Sequence, residues 1–339
     1  MDSLFSVLAL TTAVNDMRDP SMRMFNRHFR PVLNGVPEEK LAFDVISGSL
    51  KVLPNLNVSQ PAIVRDKTGR KTVTVTAPRL AEKRIIHSSE LQRVRAWGAK
   101  IALEQMKARV AREQRDMRNE VDRTLEFWAS RALGGKIYDS DLTTVLVDYE
   151  MPATHLVTLA GNDLWTDVTN SNPVTKIREW KRLIEADSNH GVTNWYAWCG
   201  WKAMDCLINH TKVTELLKYL KGPQIAAEGR IASLVGVTME EYNGSFVDNS
   251  GTTKYFLGSN EFILIGEGAD VFDCPFAAVV DEDAPNGMGN VDVNGRPTLF
   301  FSKSWVEKDP SGRWIKVESR PLPVLKRPNA IIKATVCAA

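Results

Sequence analysis

The stretch IALEQMKARVAREQRDMRNEVDRTLEFWASRAL, residues 101–133, decides how this chain is read. Met106, Val110, Met117, Val121, Leu125, Trp128 and Ala132 recur along it at spacings of three, four and seven, which is one face of a helix. Arg109, Arg112, Arg115, Arg118 and Arg123 share the opposite surface with Glu113, Asp116, Glu120 and Asp122, the pattern of a solvated, ion-paired face. Gly134-Gly135 supplies the stop. The pattern begins near Ser89, so a single helix from about Ser89 to Leu133 is predicted. At about 1.5 Å per residue, Ile101 to Leu133 alone would span about 50 Å, more than a small domain needs, and such a helix suits the spine of an elongated molecule.

On the N-terminal side of the helix lies a hairpin signal: Pro61 to Arg65, the turn Asp66-Lys67-Thr68-Gly69, then Arg70 to Thr76, where Val73 and Val75 alternate with threonines. Pro78 and a charged run follow, so no third local strand is expected, and the ribbon would have to lean on a partner. Residues 2–60 are punctuated by Pro20, Pro31, Gly35, Pro37, Gly48 and Pro54. That is the profile of an arm, which when ordered must lie on the main body or on another subunit.

Beyond the helix, a β-ribbon is expected over Lys136–Tyr149 and a strand near His155–Leu159. A helix capped by Asn172 and opened by Pro173 should run to about Ala186, with two more at Trp201–Asn209 and Thr211–Leu220. Strands are expected at Arg230–Val235, Gly244–Val247, Thr253–Leu257, Glu261–Ile265, Thr298–Val306, Trp314–Val324 and Ala330–Val336. The class is mixed α+β without a βαβ rhythm.

The 339 residues leave ample room for a core, and no run approaches the roughly 20 apolar residues of a membrane span. With 43 Lys and Arg against 41 Asp and Glu, the net charge of +2 gives no general drive toward nucleic acid. Cys199, Cys206, Cys274 and Cys337 show neither C-x-x-C spacing nor scaffold density, which favours a reducing compartment and free thiols. Leu4 to Val14 reads as an amphipathic segment and not as an export signal, since Asp2 and no Lys or Arg precedes it.

Chemistry is sparse. A continuous helix would place Cys199, Cys206 and His210 on one face, with His190 upstream, but the spacing fits no common zinc site and Trp198 and Trp201 make core packing the better reading. Gly266-Glu267-Gly268 lacks the third glycine of a dinucleotide loop. Asp281-Glu282-Asp283 lacks the alternating order of a calcium loop and reads as a solvated tip. No nucleophile motif is present, so no catalytic, cofactor or metal residue is assigned and no enzyme activity is expected.

The ordered set of segments resembles the lambda-type major capsid protein E family. Phe301-Ser302-Lys303-Ser304-Trp305-Val306, Asp309-Pro310 and Glu318-Ser319-Arg320-Pro321-Leu322-Pro323 look like its closing strands. Lys254 to Gly258 and Phe262 to Gly266 stand where the family carries paired strands, and Gly200-Trp201-Lys202 begins the matching helix. The resemblance covers most of the chain, more firmly after residue 190 than before residue 60. It implies the tailed-phage (Hong Kong 97-like) capsid fold, with an N-terminal arm (1–55) and an extended loop (56–85). A peripheral domain with the spine helix (86–190), an axial domain (191–290) and C-terminal strands returning to the peripheral domain (291–339) would follow. It also implies hexamers and pentamers closing into an icosahedral shell around double-stranded DNA, assembled in host cytoplasm and located in the virion.

Arg65, Asp66, Lys67, Thr68, Gly69, Arg70 and Lys71 of the extended loop would then make inter-subunit contacts. The missing helical pre-domain implies a separate scaffold protein, beside a portal and decoration proteins. The DNA would be touched only weakly and without sequence preference, and no membrane would be involved. Lys67 and Lys71 lie where some relatives crosslink Lys to Asn, but no partner Asn or catalytic Glu is identified, so that chemistry is not carried over. An encapsulin-like nanocompartment shell is the alternative.

Overall fold

A computed structural model describes residues 6–17, 22–46, 70–87, 99–188, 191–218, 231–248, 250–268, 270–283, 297–309 and 311–338. The chain begins with α1 (Val7–Asp16), α2 (Arg23–His28), β1 (Leu33–Val36), β2 (Lys40–Ile46), β3 (Arg70–Thr76), β4 (Leu80–His87) and the long α3 (Ala99–Ala132). It continues through β5 (Lys136–Tyr138), β6 (Val145–Asp148), β7 (Leu156–Thr158), α4 (Pro173–Ser188), β8 (Asn194–Cys199), α5 (Trp201–Asn209) and α6 (Thr211–Lys218). Next come β9 (Ser233–Leu234), β10 (Val237–Glu241), β11 (Ser245–Val247), β12 (Thr253–Tyr255) and β13 (Glu261–Glu267). The last strands are β14 (Phe272–Ala277), β15 (Phe300–Glu307), β16 (Gly312–Ser319), β17 (Val324–Leu325) and β18 (Ile331–Thr335). The expected helix start at Ser89 and the strand Pro61 to Arg65 lie outside the described residues.

Two compact units result. Unit 1 comprises Met1–Ala42, Thr74–Ala129 and Asp273–Val324; unit 2 comprises Phe43–Val73, Ser130–Phe272 and Leu325–Ala339.

Unit 1 is built on an antiparallel sheet in the order β15-β16-β4, with Phe300 opposite Ser319 and Ile315 opposite Arg84. Because side chains alternate across a strand, Phe300, Ile315, Val317 and Ile86 share one face. They bury it against Leu10 and Val14 of α1 and Val110, Met117 and Val121 of α3. Each such side chain contributes about 1.5–3 kcal/mol when fully buried. On the other face Trp305 stacks on Trp314 at 6.3 Å, and the Lys83 ammonium lies 4.7 Å from the Trp314 ring. Strand β1 runs parallel to β14, and the approach is so close at Gly35 that a Cβ there would stand 2.4 Å from the Pro297 side chain.

Unit 2 carries a six-stranded mixed sheet in the order β7-β18-β13-β8-β10-β9. Ala197, Cys199, Phe262, Leu264, Ile332 and Ala334 form its helix-facing side, packed by Ile177, Trp180 and Ile184 of α4 and by α5 and α6. Trp165, Trp180 and Phe262 close an aromatic triangle with centroids 5.2 to 6.1 Å apart. Helix α4 starts as its sequence asks, with the Asn172 side chain accepting from the Thr175 N–H at 3.2 Å and Pro173 in the first turn.

Several expectations are corrected. The charged run after Pro78 is itself a strand, β4, but it pairs with β16 while β3 pairs with β2, so it adds no third strand to β3. No helix links Cys199 to His210: Cys199 ends β8, and the chain breaks at Gly200, where a Cβ would meet the Gly258 carbonyl at 2.2 Å. The segment Asp270-Val271-Phe272-Asp273 leads into β14, a strand the sequence did not suggest; β8 and β10 were likewise unexpected. Arg118 and Asp122 are not on a solvated face but are buried.

Candidate functional site: anchored N-terminal segment, loop base and ribbon

Within unit 1, Gln114, Arg118, Asp122 and Glu126 stand four residues apart and so form a single line along α3. All four are buried, and three of them reach the backbone of the N-terminal segment. Gln114 Nε2 donates to the Leu10 carbonyl at 3.3 Å and to Ser302 Oγ at 2.9 Å. Arg118 Nη1 donates to the carbonyls of Val14 and Met17, each at 2.6 Å, while its Nε donates to Asp122 Oδ2 at 3.2 Å. The guanidinium also lies 4.9 Å from the Phe300 ring.

The Glu126 carboxylate accepts from the N–H groups of Met24 and Phe25, each at 2.9 Å. Those two amides belong to the first turn of α2, where no intrahelical partner exists and where Met22 offers no capping side chain. A carboxylate from another element thus replaces the missing cap, with the helix dipole in its favour. Thr11 and Asn15 complete the hold: Thr11 Oγ1 accepts from the Ser302 N–H at 3.1 Å, and Asn15 Nδ2 donates to the Phe300 carbonyl at 2.9 Å. The described arm residues of α1 and α2 therefore lie on the body of their own unit.

The loop base belongs to unit 2. Of the expected contact residues, Arg65, Asp66, Lys67, Thr68 and Gly69 lie outside the described residues, while Arg70 opens β3. Lys71 is exposed and pairs with the Glu150 carboxylate. The neighbouring Thr72 Oγ1 donates to Asp44 Oδ1 of β2 at 2.7 Å. Glu150 itself sits at φ 52°, a left-handed conformation uncommon outside glycine, and its N–H donates to Asp148 Oδ1 at 2.8 Å. Burial raises the Asp148 carboxyl, but the Lys136 ammonium at 2.9 Å and that N–H outweigh it and leave the group below its ordinary value.

Also in unit 2, β11 and β12 form a two-stranded ribbon with Ser245 opposite Tyr255. Val247 and Tyr255 are 58% and 51% exposed, an apolar pair left uncovered by the described residues of the chain. The turn is fixed by Asp248, whose Oδ1 accepts from the N–H groups of Ser250 and Thr252 at 3.0 and 2.8 Å. The Ser250 hydroxyl, then Lys254, hold this carboxyl far below the usual carboxylate range.

Of the residues weighed for metal chemistry, His190 lies outside the described residues and the others go separate ways. His210 Nε2 meets Ser171 Oγ at 2.9 Å, Cys206 meets Cys337, and Cys199 faces the core. Among the described residues no group of three or more His, Cys, Asp or Glu is placed to hold a metal ion. Lys303 pairs with Asp281 at 2.7 Å and with Asp283 at 3.4 Å, so the acidic tip is partly neutralised from β15. The line on α3 escapes a reading of the sequence because alternating charge looks like surface. The signal that could have found it is Glu126 itself, set between Leu125 and Phe127-Trp128-Ala129 where an ion-paired surface has no reason to be apolar.

The sequence model of the family described as phage major capsid protein E matches residues 6–336. The fold is similar to that of a protein from a prophage of E. coli CFT073 described as its capsid protein, at 17% identity and TM-score 0.65, covering 98% of this chain and 99% of that one. It is similar to a phage-related protein of Bordetella bronchiseptica RB50, at 12% identity and TM-score 0.58, covering 97% of each. It also matches a chain of the bacteriophage PhiM1 mature capsid, at 11% identity and TM-score 0.52, covering 94% of this chain and 87% of that one. No curated protein matches the sequence.

Proposed function

The chain belongs to the phage major capsid protein E family and has the Hong Kong 97-like capsid fold, and from that premise we propose that it forms hexamers and pentamers of an icosahedral shell around double-stranded DNA. It is a structural protein of the virion shell; the host cytoplasm as the place of assembly, and a role free of catalysis, belong to the proposal. The observation that carries the reading is the family match over residues 6–336. A separate scaffold, a portal and decoration proteins are the partners expected, and the near-neutral charge suits a wall that encloses DNA without gripping it.

Assembly on this reading rests on many weak, repeated contacts, which multiply through symmetry. The extended loop, with Arg65 to Lys71, crosses a neighbouring subunit from the base made by Asp44, Lys71 and Glu150. Supporting this is the exposure of the Lys71–Glu150 pair, 58% and 64%, which contributes little to a lone chain. The same reading makes residues 1–55 the arm, 56–85 the loop, 86–190 with 291–339 the peripheral part and 191–290 the axial part. The exposed Val247 and Tyr255 then give the axial part an apolar surface to share.

The test is deletion of Asp66 to Lys71, with negative-stain microscopy and size-exclusion of the chain expressed with its scaffold. A folded subunit that makes no closed shells supports the loop assignment, and shells of normal yield reject it. Nuclease treatment of the wild-type particles separates a genome-bearing shell from an enzyme compartment, since only the former protects long double-stranded DNA.

A further inference from the structure

We propose that Cys206 and Cys337 are a reactive dithiol that closes to a disulfide and fastens the C-terminal tail to α5. Their Sγ atoms are 2.9 Å apart. That is about 0.9 Å beyond the ~2.05 Å of a sulfur–sulfur bond. Both are free thiols in this structure.

Hydrogen bonds hold the backbone on each side, so the two thiols are kept facing each other. The Val336 N–H donates to the Asn260 carbonyl at 2.9 Å, and Asn260 Nδ2 donates to the Cys337 carbonyl at 3.3 Å. Helix α5 is held at its start by the Ala203 N–H on the Ser259 carbonyl at 3.0 Å. Lys202 Nζ donates to the Ala338 carbonyl at 2.6 Å, one residue past Cys337. Tail and helix thus meet on both sides of the thiol pair. Cys199 sits in the sheet core and Cys274 belongs to unit 1, so neither offers a competing partner on these contacts.

The two thiols are unequal, which orders the reaction. Cys206 is partly exposed, while Cys337 is 1% exposed, and burial, followed by the neighbouring Cys206, pushes its thiol well above the ordinary range. A small-molecule disulfide of the oxidised glutathione class therefore meets Cys206 first. The Cys206 thiolate attacks one sulfur, forms a mixed disulfide and expels a thiolate that takes up a proton. Cys337 then loses its proton, attacks the Cys206 sulfur and expels the second small thiol. Two protein thiols are oxidised, one small disulfide is reduced to two thiols, and electrons and protons balance. The two cysteines stand 131 residues apart, so the bond would close a long loop of chain and add to the hydrogen bonds that already hold the tail.

The experiment uses the purified full chain, equilibrated across ratios of oxidised to reduced glutathione, quenched by alkylation and read by intact mass, peptide mapping and non-reducing electrophoresis. The expected product is lighter by the mass of two hydrogen atoms, alkylates at two fewer sites, yields one crosslinked peptide pair and melts at higher temperature than the reduced chain. Cys199→Ser and Cys274→Ser should still crosslink; Cys337→Ser should stop at a glutathione adduct on Cys206. If Cys337→Ser does not fold, Cys206→Ala, at the more exposed position, tests the same loss. Four alkylatable thiols at every ratio, a stalled adduct in the wild type, or bonds between separate chains would each overturn the proposal. One folded chain suffices for the reaction, so such a failure leaves the capsid reading untouched.

Discussion

In unit 1 the N-terminal segment is held by directional bonds: Arg118 and Gln114 donate to its carbonyls, and Glu126 accepts from its amides. In unit 2 the sheet and its covering helix are held chiefly by shape, with Phe262 between Trp165 and Trp180 and Ile332 and Ala334 beneath. Apolar burial is non-directional and sets how strongly parts adhere. Hydrogen bonds to backbone groups set where a segment lies, because a shift of one residue leaves buried polar groups unpaired. The short helices α1 and α2 bury Leu10, Val14, Met24 and Phe25, and the second kind of hold fixes where that apolar surface lies; in a six-stranded sheet the strand register already does so.

One substitution in each unit puts this contrast under the greatest load. Phe262→Ala should cost about 3–5 kcal/mol through the cavity it leaves. Arg118→Ala should cost about the same, because a buried ion pair with Asp122 is broken and the Val14 and Met17 carbonyls lose their donor. The two are told apart by partial rescue: Arg118→Leu with Asp122→Leu should recover the part of the loss due to the broken ion pair in urea unfolding, but not the part due to the Val14 and Met17 carbonyls. No double variant restores Phe262→Ala that way. Hydrogen exchange should show Arg118→Ala loosening residues 7–16 far more than α4; equal loosening of both would erase the distinction between the two kinds of hold.

A step smaller is Glu126→Gln, which keeps one acceptor and turns a donor toward the other amide. It should cost about 1.5–3 kcal/mol, with protection lost at Met24 and Phe25. Unchanged protection there would mean the remote cap is not needed.

His28 gives a pH test. Burial and then the Arg27 charge push its pKa down from 6.5 to about 3. The unfolded chain therefore binds a proton that the folded chain refuses, so the contribution is complete above about pH 6.5. It falls as the pH drops toward 3, by up to about 1.4 kcal/mol per pH unit. His28→Phe should flatten that slope in unit 1, and a slope that survives the substitution assigns it to other groups.

Smallest is Arg79→Ala. Arg79 is 59% exposed and binds Glu318 at 2.7 Å, but Lys316 also pairs with Glu318, so the loss should stay below about 1 kcal/mol. A larger loss would make the exposed ion pair an anchor of the same rank as Arg118.

What could be read beforehand follows the same division. The apolar stripe of α3, the ribbon β5–β6, the capped α4 and the closing strands β15, β16 and β18 were legible, because period and punctuation are local. Strand β4 was not, since Glu82, Lys83 and Arg84 give it no hydrophobic alternation and its partner β16 comes more than two hundred residues later. Strand β8, with Tyr196 to Cys199 all buried, has no alternation because both faces are covered, and such a run cannot be told from a buried helix. The contact residues Arg65 to Lys71 follow from the family resemblance and not from periodicity. The anchoring line on α3 was hidden because its chemistry is with backbone groups, which one residue type resembles as much as another.

The Thr11–Ser302 pairing, 291 residues apart in sequence, has a consequence for synthesis. Helix α1 leaves the ribosome well before the strand that receives it. At about 5–20 residues per second the wait is on the order of 15–60 s. Throughout that interval Leu10 and Val14 have the α3 side of their seat but not the sheet side, so a nascent chain carries α1 only half fastened until β15 and β16 are made.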